Sequence, residues 1–376
     1  MRIAVPKEIK DGERRVGLLP AGARMLVDHG HEIAVEQGAG SEIGFDDDCY
    51  RAAGATIVDD SRAIWRSDLI VKVKELQPAE YGAIQAGTTI FGYAQLVRDP
   101  ALVDVVLRGG VRILAYELVR DASGEFPLLA PMSKIAGRLA PFVGAQCLHV
   151  DRGGAGVLLP GVDNVGGARV LVIGAGTAGS DAARIAARVG CRVTVLSRGE
   201  SRLDAIAREL ARCGTPIEAE TIERAGPDGF AGAVAAADLV IGAVNDPGKL
   251  SPRLIRRKHL RSMRAGSAFV DIGIDQGGIA ETSRMTTLSN PTYIEERIVH
   301  YCVPNMPSLV ARTATEALTA ATLPYVLRLA CLGVERAISD DAGLAMAVLV
   351  ADGAIVHRGL AADVGARQRA GQAPPP

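Results

Sequence analysis

Short apolar runs alternate with amphipathic stretches through the first 130 residues. Runs at 2–5, 32–36, 69–73, 88–91 and 111–116 read as strands, and 20–29 and 100–108 carry apolar residues at helical spacing. Gly30, Gly38, Gly87 and Gly110 mark the turns. Alternating strand and helix predicts a mostly parallel sheet with helices on both faces. A helix is expected over 133–150, followed by a glycine-rich segment at 153–161 that is either a hinge near a ligand or a plain surface loop. A second series starts at Arg169, with strands predicted at 170–173, 192–196, 238–244 and 268–274. Its first helix, 180–189, has a narrow face of Ala182, Ala183, Ile185, Ala186 and Val189. The last 70 residues read as helices at 310–332 and 334–350, with Pro324 as a break or kink and 367–376 as a frayed tail.

Composition narrows the function classes. Lys and Arg number 42 against 43 Asp and Glu, a net charge of −1, which argues against nucleic acid as partner. Hydrophobic residues make up 48%, enough for real cores, and 376 residues suggest about two domains. Glycine is abundant at 43 residues, against a usual share of roughly 7%. Aromatics are only 4%, so the cores are expected to pack on Ala, Val, Leu and Ile. Six scattered cysteines form no CxxC pair and six dispersed histidines no HExxH, so neither a disulfide framework nor a metal site is expected. The first residues run straight into a strand without a leader-like apolar region, and the apolar stretch 344–356 is interrupted by Asp352 and Gly353. The expected compartment is the cytoplasm, with no membrane partner.

The sharpest motif is Gly174-Ala175-Gly176-Thr177-Ala178-Gly179, a GxGxxG between an apolar strand and a helix, with another strand about 18 residues on. In that context Gly174 serves the tight turn, Gly176 the approach of backbone to a pyrophosphate, and Gly179 the packing of helix on strand. The helix start, including the Thr177 and Ala178 amides, offers N–H groups and a positive dipole end to the anion. A ribose 2′-hydroxyl is usually read by an acid at the end of the second strand. Here that strand ends in Ser197-Arg198, with Arg202 just beyond. A guanidinium suits a 2′-phosphate, so NADP(H) is expected in preference to NAD(H). The alternative is that Arg198 faces solvent or stacks on adenine while NAD(H) still binds.

The chain as a whole resembles the alanine dehydrogenase family, which includes the transhydrogenase α-subunit and lysine-forming saccharopine dehydrogenases. The resemblance covers nearly all of residues 1–365. It is carried by Pro6-Lys7-Glu8, Glu13-Arg14-Arg15-Val16, 71–75, Leu129-Ala130-Pro131-Met132-Ser133, the glycine loop, 271–278 and 301–307. It implies an α/β fold of two doubly wound Rossmann-like domains with a cleft between them. A discontinuous substrate domain would comprise 1–129 plus 308–376, and the dinucleotide-binding domain 130–307. It also implies a homo-oligomer, a dimer or hexamer. Residue by residue, Arg15 matches the arginine that holds the substrate carboxylate and Lys74 the substrate lysine. Asp271 and Asn305 match positions beside nicotinamide and substrate, and Ser133 one on the nicotinamide side. Val244 falls at the cofactor end of a predicted strand.

One position departs from the pattern. Active alanine dehydrogenases carry a catalytic histidine where this chain has Gln95 in Tyr93-Ala94-Gln95-Leu96. Histidine titrates near neutral pH, whereas glutamine only hydrogen-bonds. The expected enzyme is therefore an NADP(H)-linked oxidoreductase acting at the α-carbon of a small amino, imino or 2-oxo acid other than L-alanine. Lys74 or Tyr93 is the proton donor in this reading, and Gln95 orients the substrate. The alternatives are an ordinary alanine dehydrogenase of reduced rate and a non-catalytic dinucleotide sensor. A second departure, Asn245-Asp246, either contacts the ligand or caps a turn.

Overall fold

The computed structural model describes residues 1–371 except 97–98 and 245–249; Asn245 and Asp246 therefore lie outside the described residues. In chain order the strands are β1 Arg2–Val5, β2 Glu32–Glu36, β3 Thr56–Val58, β4 Leu69–Val71, β5 Thr89–Gly92, β6 Arg112–Ala115, β7 Arg169–Ile173, β8 Arg192–Ser197, β9 Glu218–Thr221, β10 Leu239–Gly242, β11 Ala268–Asp271, β12 Thr292–Glu295, β13 Ile298–Tyr301, β14 Val348–Ala351 and β15 Ala354–Ile355.

The chain forms two compact units. The first comprises Met1–Met132 with Ser308–Pro376, and the second Ser133–Pro307. In the first, the strand order is β15-β14-β6-β5-β4-β1-β2-β3. Strands β1 to β6 pair in parallel, and β14 joins β6 antiparallel. The chain winds from β1 out to β3, then returns to the other side of β1 with β4. Adjacent strands β1 and β4 are thus a topological switch point, where ligands collect beyond the carboxyl ends of the strands. The second unit has order β12-β13-β11-β10-β7-β8-β9, with its switch point between β7 and β10. Every residue of β4, β5, β10, β11 and β13 is buried, as expected of strands covered on both faces.

Three readings of the C-terminal region are corrected. Residues 334–350 do not form one helix. Helices Val334–Ser339 and Ala342–Met346 are separated where the Asp341 carboxylate accepts from Gly343 N–H and Leu344 N–H and starts the second. The chain then enters the β14–β15 hairpin. Its Asp352-Gly353 turn has φ of 49° and 71°, the left-handed pair a tight hairpin requires. Pro324 does not break its helix, which runs Ala311–Leu332 and buries Leu318, Val326 and Leu329 on either side of it. Helix Arg358–Gly371 extends into the segment 367–376 read as a frayed tail, of which 372–376 lie outside the described residues.

Candidate active site

In the first unit the candidate residues gather at the carboxyl ends of the parallel strands. Glu8 follows β1, Lys74 follows β4, Tyr93 and Gln95 follow β5, and Glu117 follows β6. Arg15 is buried to 2% exposure and grips Glu13 with two parallel bonds, Nε to Oε1 at 2.8 Å and Nη2 to Oε2 at 2.6 Å. Its Nη1 points at the Met132 sulfur, 2.9 Å away. Burial alone would raise the Glu13 carboxyl, but the Arg15 hydrogen bonds and charge, joined by Lys74, hold it down at about 2. Glu13 takes two of the five guanidinium donors, which orients the fork.

Lys72 and Lys74 have different tasks. Lys72 is fully buried between Glu8 at 3.1 Å and Glu80 at 2.9 Å, a structural ion triad. Glu8 also accepts from the N–H of Val73 at 2.7 Å and of Lys74 at 3.3 Å, which fixes the chain just past β4. Lys74 instead lies with its Nζ 6.0 Å from the centre of the Tyr93 ring. Its charge lowers the carboxyls of Glu13, Glu75 and Glu117. Tyr93 donates its one hydroxyl proton to the Leu128 carbonyl at 2.7 Å, and burial pushes that phenol further up. A cavity of about 20 Å³, room for roughly one water, is lined by Lys74, Glu75, Tyr93, Leu96 and Val106, among others.

Gln95 has φ of 47°, a left-handed conformation uncommon for any residue but glycine. The half-buried Glu117 carboxylate accepts the N–H groups of Ala94 at 3.1 Å and of Gln95 at 3.0 Å, and so holds this turn. Burial raises Glu117, while those N–H bonds and Lys74 lower it less. Strain of about 1–3 kcal/mol at such a position persists only where neighbours enforce it. Glu117 was not apparent as a site residue in the sequence. Its one local signal is an acid directly after an apolar strand.

In the second unit the glycine loop joins β7 to helix Thr177–Arg188, whose N-cap, Gly176, brings no side chain to its amides. The three glycines differ. Gly174 has φ of 108° and no room for a Cβ against Ala243 O and Val244 Cγ2. Among the described residues a Cβ at Gly176 would meet only Arg202 Nη1, 4.0 Å away, which leaves the backbone there open to a ligand. A Cβ at Gly179 would overlap the Gly174 carbonyl oxygen. This cradle fits a pyrophosphate. Gly179→Ala should therefore weaken dinucleotide binding about ten- to hundredfold, the consequence of roughly 1–3 kcal/mol of overpacking. Titration of cofactor fluorescence measures it, and unchanged affinity would contradict the role given to this close packing.

The remaining candidates in this unit ring the same strand ends. Helix Ala130–Cys147 packs Gly137 onto Ala178, and Ser133 lies one turn before that contact. Val244 follows β10 beside Gly174, and Asn305, with φ of 72°, follows β13. Ser197 ends β8 and Arg198 follows it, with Arg198 and Arg202 both exposed. The nearby Glu200 is paired with Arg224, and neither Arg198 nor Arg202 has an ion-pair partner among the described residues. Asp271, at the end of β11, is fully buried. Its Oδ2 accepts from Ser283 Oγ at 2.6 Å and Ile279 N–H at 2.9 Å, while Oδ1 has no hydrogen-bond partner among the described residues. Burial raises this carboxyl to about 6 against the pull of those donors.

Two switch-point sheets, one carrying a phosphate cradle and the other a buried arginine fork beside a lysine, define a dinucleotide-binding α/β oxidoreductase. The N-terminal domain of alanine dehydrogenase/PNT matches residues 4–136, and the C-terminal domain of alanine dehydrogenase/PNT matches residues 140–358. The chain is 46% identical to an alanine dehydrogenase of Halomonas elongata over 364 residues, 96% of each chain. It is 41% identical to an alanine dehydrogenase of Bacillus subtilis over 368 residues, 97% of this chain and 95% of the other. A solved L-alanine dehydrogenase superposes with a TM-score of 0.90 at 40% identity, covering 97% of this chain and 99% of that one. The chain belongs to the alanine dehydrogenase/PNT family. It is an enzyme of the alanine dehydrogenase type, dependent on a nicotinamide dinucleotide. Among the described residues no helix is long and apolar enough to cross a membrane, and no cluster of His, Cys, Asp or Glu could hold a metal.

Proposed function

We propose that this enzyme is linked to NADP(H) and acts at the α-carbon of a small amino, imino or 2-oxo acid other than L-alanine. The observation that carries the substrate reading is Gln95. The turn that bears it is fixed by Glu117, yet the side chain it presents cannot take up or release a proton. A nicotinamide, when bound, would supply or accept the hydride. Arg15, held by Glu13, receives the substrate carboxylate. Lys74 Nζ holds the proton that the carbonyl or imine nitrogen requires and takes it back in the reverse direction. Tyr93, its proton committed to Leu128, walls the site rather than acting as the donor. Gln95 orients the reacting group by hydrogen bonding, and Asp271 and Asn305 place substrate and nicotinamide, with Ser133 and Val244 on the cofactor side. Reduction of a preformed imine suits this set of groups. No water has to attack and no hemiaminal has to collapse, so the proton traffic is lighter than in deamination. A screen of NADPH oxidation over 2-oxo acids with ammonia, and over cyclic imines, tests the assignment. Turnover confined to pyruvate with ammonia would overturn it in favour of an ordinary alanine dehydrogenase of reduced rate, the reading supported by the names of its relatives.

The cofactor reading rests on the end of β8, where Ser197 and two exposed arginines stand with no ion-pair partner among the described residues, and Arg202 Nη1 lies near Gly176. A 2′-phosphate finds two cations there and no carboxylate left unengaged at Glu200. The double variant Arg198→Ala/Arg202→Ala should bind NADPH about ten- to hundredfold more weakly, as loss of charge-assisted bonds of roughly 1.5–3 kcal/mol implies. NADH binding should change little. Fluorescence titration of both cofactors reads it, and tighter binding of NADH than NADPH by the unmodified enzyme would sink the preference. Four apolar side chains in one stretch, Val150, Leu158, Val162 and Val165, are exposed and support a homo-oligomer, dimer or hexamer, which light scattering would size.

A further inference from the structure

The segment 277–283 is pinned from several directions. Gly277 and Gly278 turn the chain with φ of 94° and 79°, and a Cβ at Gly278 would overlap Asp271 Oδ2. The Ile279 carbonyl accepts from Leu254 N–H at 2.8 Å and Ile255 N–H at 2.9 Å, and Arg253 binds the Ala280 carbonyl. Buried His300 donates from Nδ1 to Ile298 O at 2.9 Å, so its Nε2 accepts from Thr282 Oγ1 at 2.8 Å. Tyr293 stacks on His300 and donates to Thr282 O at 2.7 Å. Neighbouring Ser283 accepts the Ala280 N–H at 3.1 Å, which turns its own hydroxyl proton toward Asp271 Oδ2. With Ile279 N–H the same oxygen takes two donors, while Oδ1 sits beside Gly242 and Gly273.

We propose that Ser283 is a positioning residue that occupies Asp271 Oδ2 and so makes Oδ1 the single oxygen through which this carboxyl gains or loses a proton and meets its ligand. A proton on Oδ2 would face two donors already aimed at it. Among the described residues no hydrogen bond is directed at Oδ1. The groups that set the charge of Asp271 are few. Burial opposes ionisation, whereas Ser283, Ile279 N–H, Gly273 N–H and the Arg253 guanidinium favour it, and the buried Cys302 thiol also faces it. Removing the Ser283 hydroxyl takes away the strongest donor and should shift the titration of Asp271 upward by roughly one to two pH units, the size of a hydrogen bond to a charged group.

The inference rests on Asp271 belonging to the reaction site, and the test separates the two claims. The carboxyl stretch of Asp271 is followed against pH by infrared difference between the full-length enzyme and Asp271→Asn, then in Ser283→Ala and Ser283→Thr backgrounds. The expected result is an upward shift in Ser283→Ala, restored in Ser283→Thr, with the acidic limb of the pH–rate profile moving by the same amount. An unmoved carboxyl titration in Ser283→Ala overturns the proposal. Full turnover by Asp271→Asn would instead remove Asp271 from the reaction, and the infrared shift would still decide the role of Ser283. Should Ser283→Ala fail to fold, Ser283→Cys, with its weaker donor, is expected to give a smaller upward shift, and no shift there counts against the proposal equally.

Discussion

Lys74→Met should lower NADPH-linked turnover by about 10²–10⁴-fold, the usual worth of a positioned proton-transfer group. Methionine keeps the length and apolar stem of a side chain that is only 5% exposed, so the effect isolates the ammonium. Tyr93 offers no bypass, because its proton is engaged at Leu128 O, and Gln95 does not titrate. Cofactor affinity should be unchanged, since the phosphate cradle belongs to the other unit. The carboxyls of Glu13, Glu75 and Glu117, all lowered by Lys74, should titrate at higher pH in the variant. Steady-state kinetics with separately measured NADPH binding checks this. Turnover within a few-fold of the unmodified enzyme would show that the proton moves elsewhere.

Arg15→Leu should abolish productive substrate binding and destabilise the first unit by about 3–5 kcal/mol near neutral pH, because it leaves the Glu13 charge buried without its partner. The pH dependence identifies the cause. In the native protein the Glu13 carboxyl is depressed to about 2, so its contribution is fully present above the unfolded value near 4.5 and fades as pH falls toward 2. Without Arg15, burial should push Glu13 upward, and protonation then relieves the variant as pH falls. The stability gap between the two proteins, read from urea unfolding at several pH values, should narrow from about pH 5 downward. A gap that stays constant with pH would assign the loss to packing alone.

How much of this was legible in the sequence follows from how each feature is encoded. Strands β1, β2, β4 to β8, β10 and β11 are apolar runs between glycine-marked turns, and the alternation with helices gave the parallel sheets. Strands β3, β9 and β12 were missed because they lie at or near sheet edges, where β9, Glu218–Thr221, has no large apolar residue to signal it. Strand β13 hides a fully buried His300 in its centre, which only the Thr282 and Ile298 contacts make tolerable. Arg15, Lys74, Gln95 and the glycine loop stood out because each lies in a short contiguous motif. Glu8, Glu117 and Ser283 support other residues across 12 to 66 positions of chain, and no local period reports a contact of that kind. Lys72 shows the converse. It stands two residues from Lys74 in the same short run, and its pairing with Glu8 and Glu80 separates the two.

The most direct test of the account is the rate constant kcat/KM for pyruvate with ammonia, measured with NADPH for the unmodified enzyme and for Gln95→His. If Gln95 marks a site turned away from alanine chemistry, the unmodified enzyme will be slow with pyruvate and the histidine will raise its rate by about 10²-fold or more, the lower end of what a titrating group contributes. An unmodified enzyme already fast with pyruvate, and unimproved or impaired by the histidine, would contradict it.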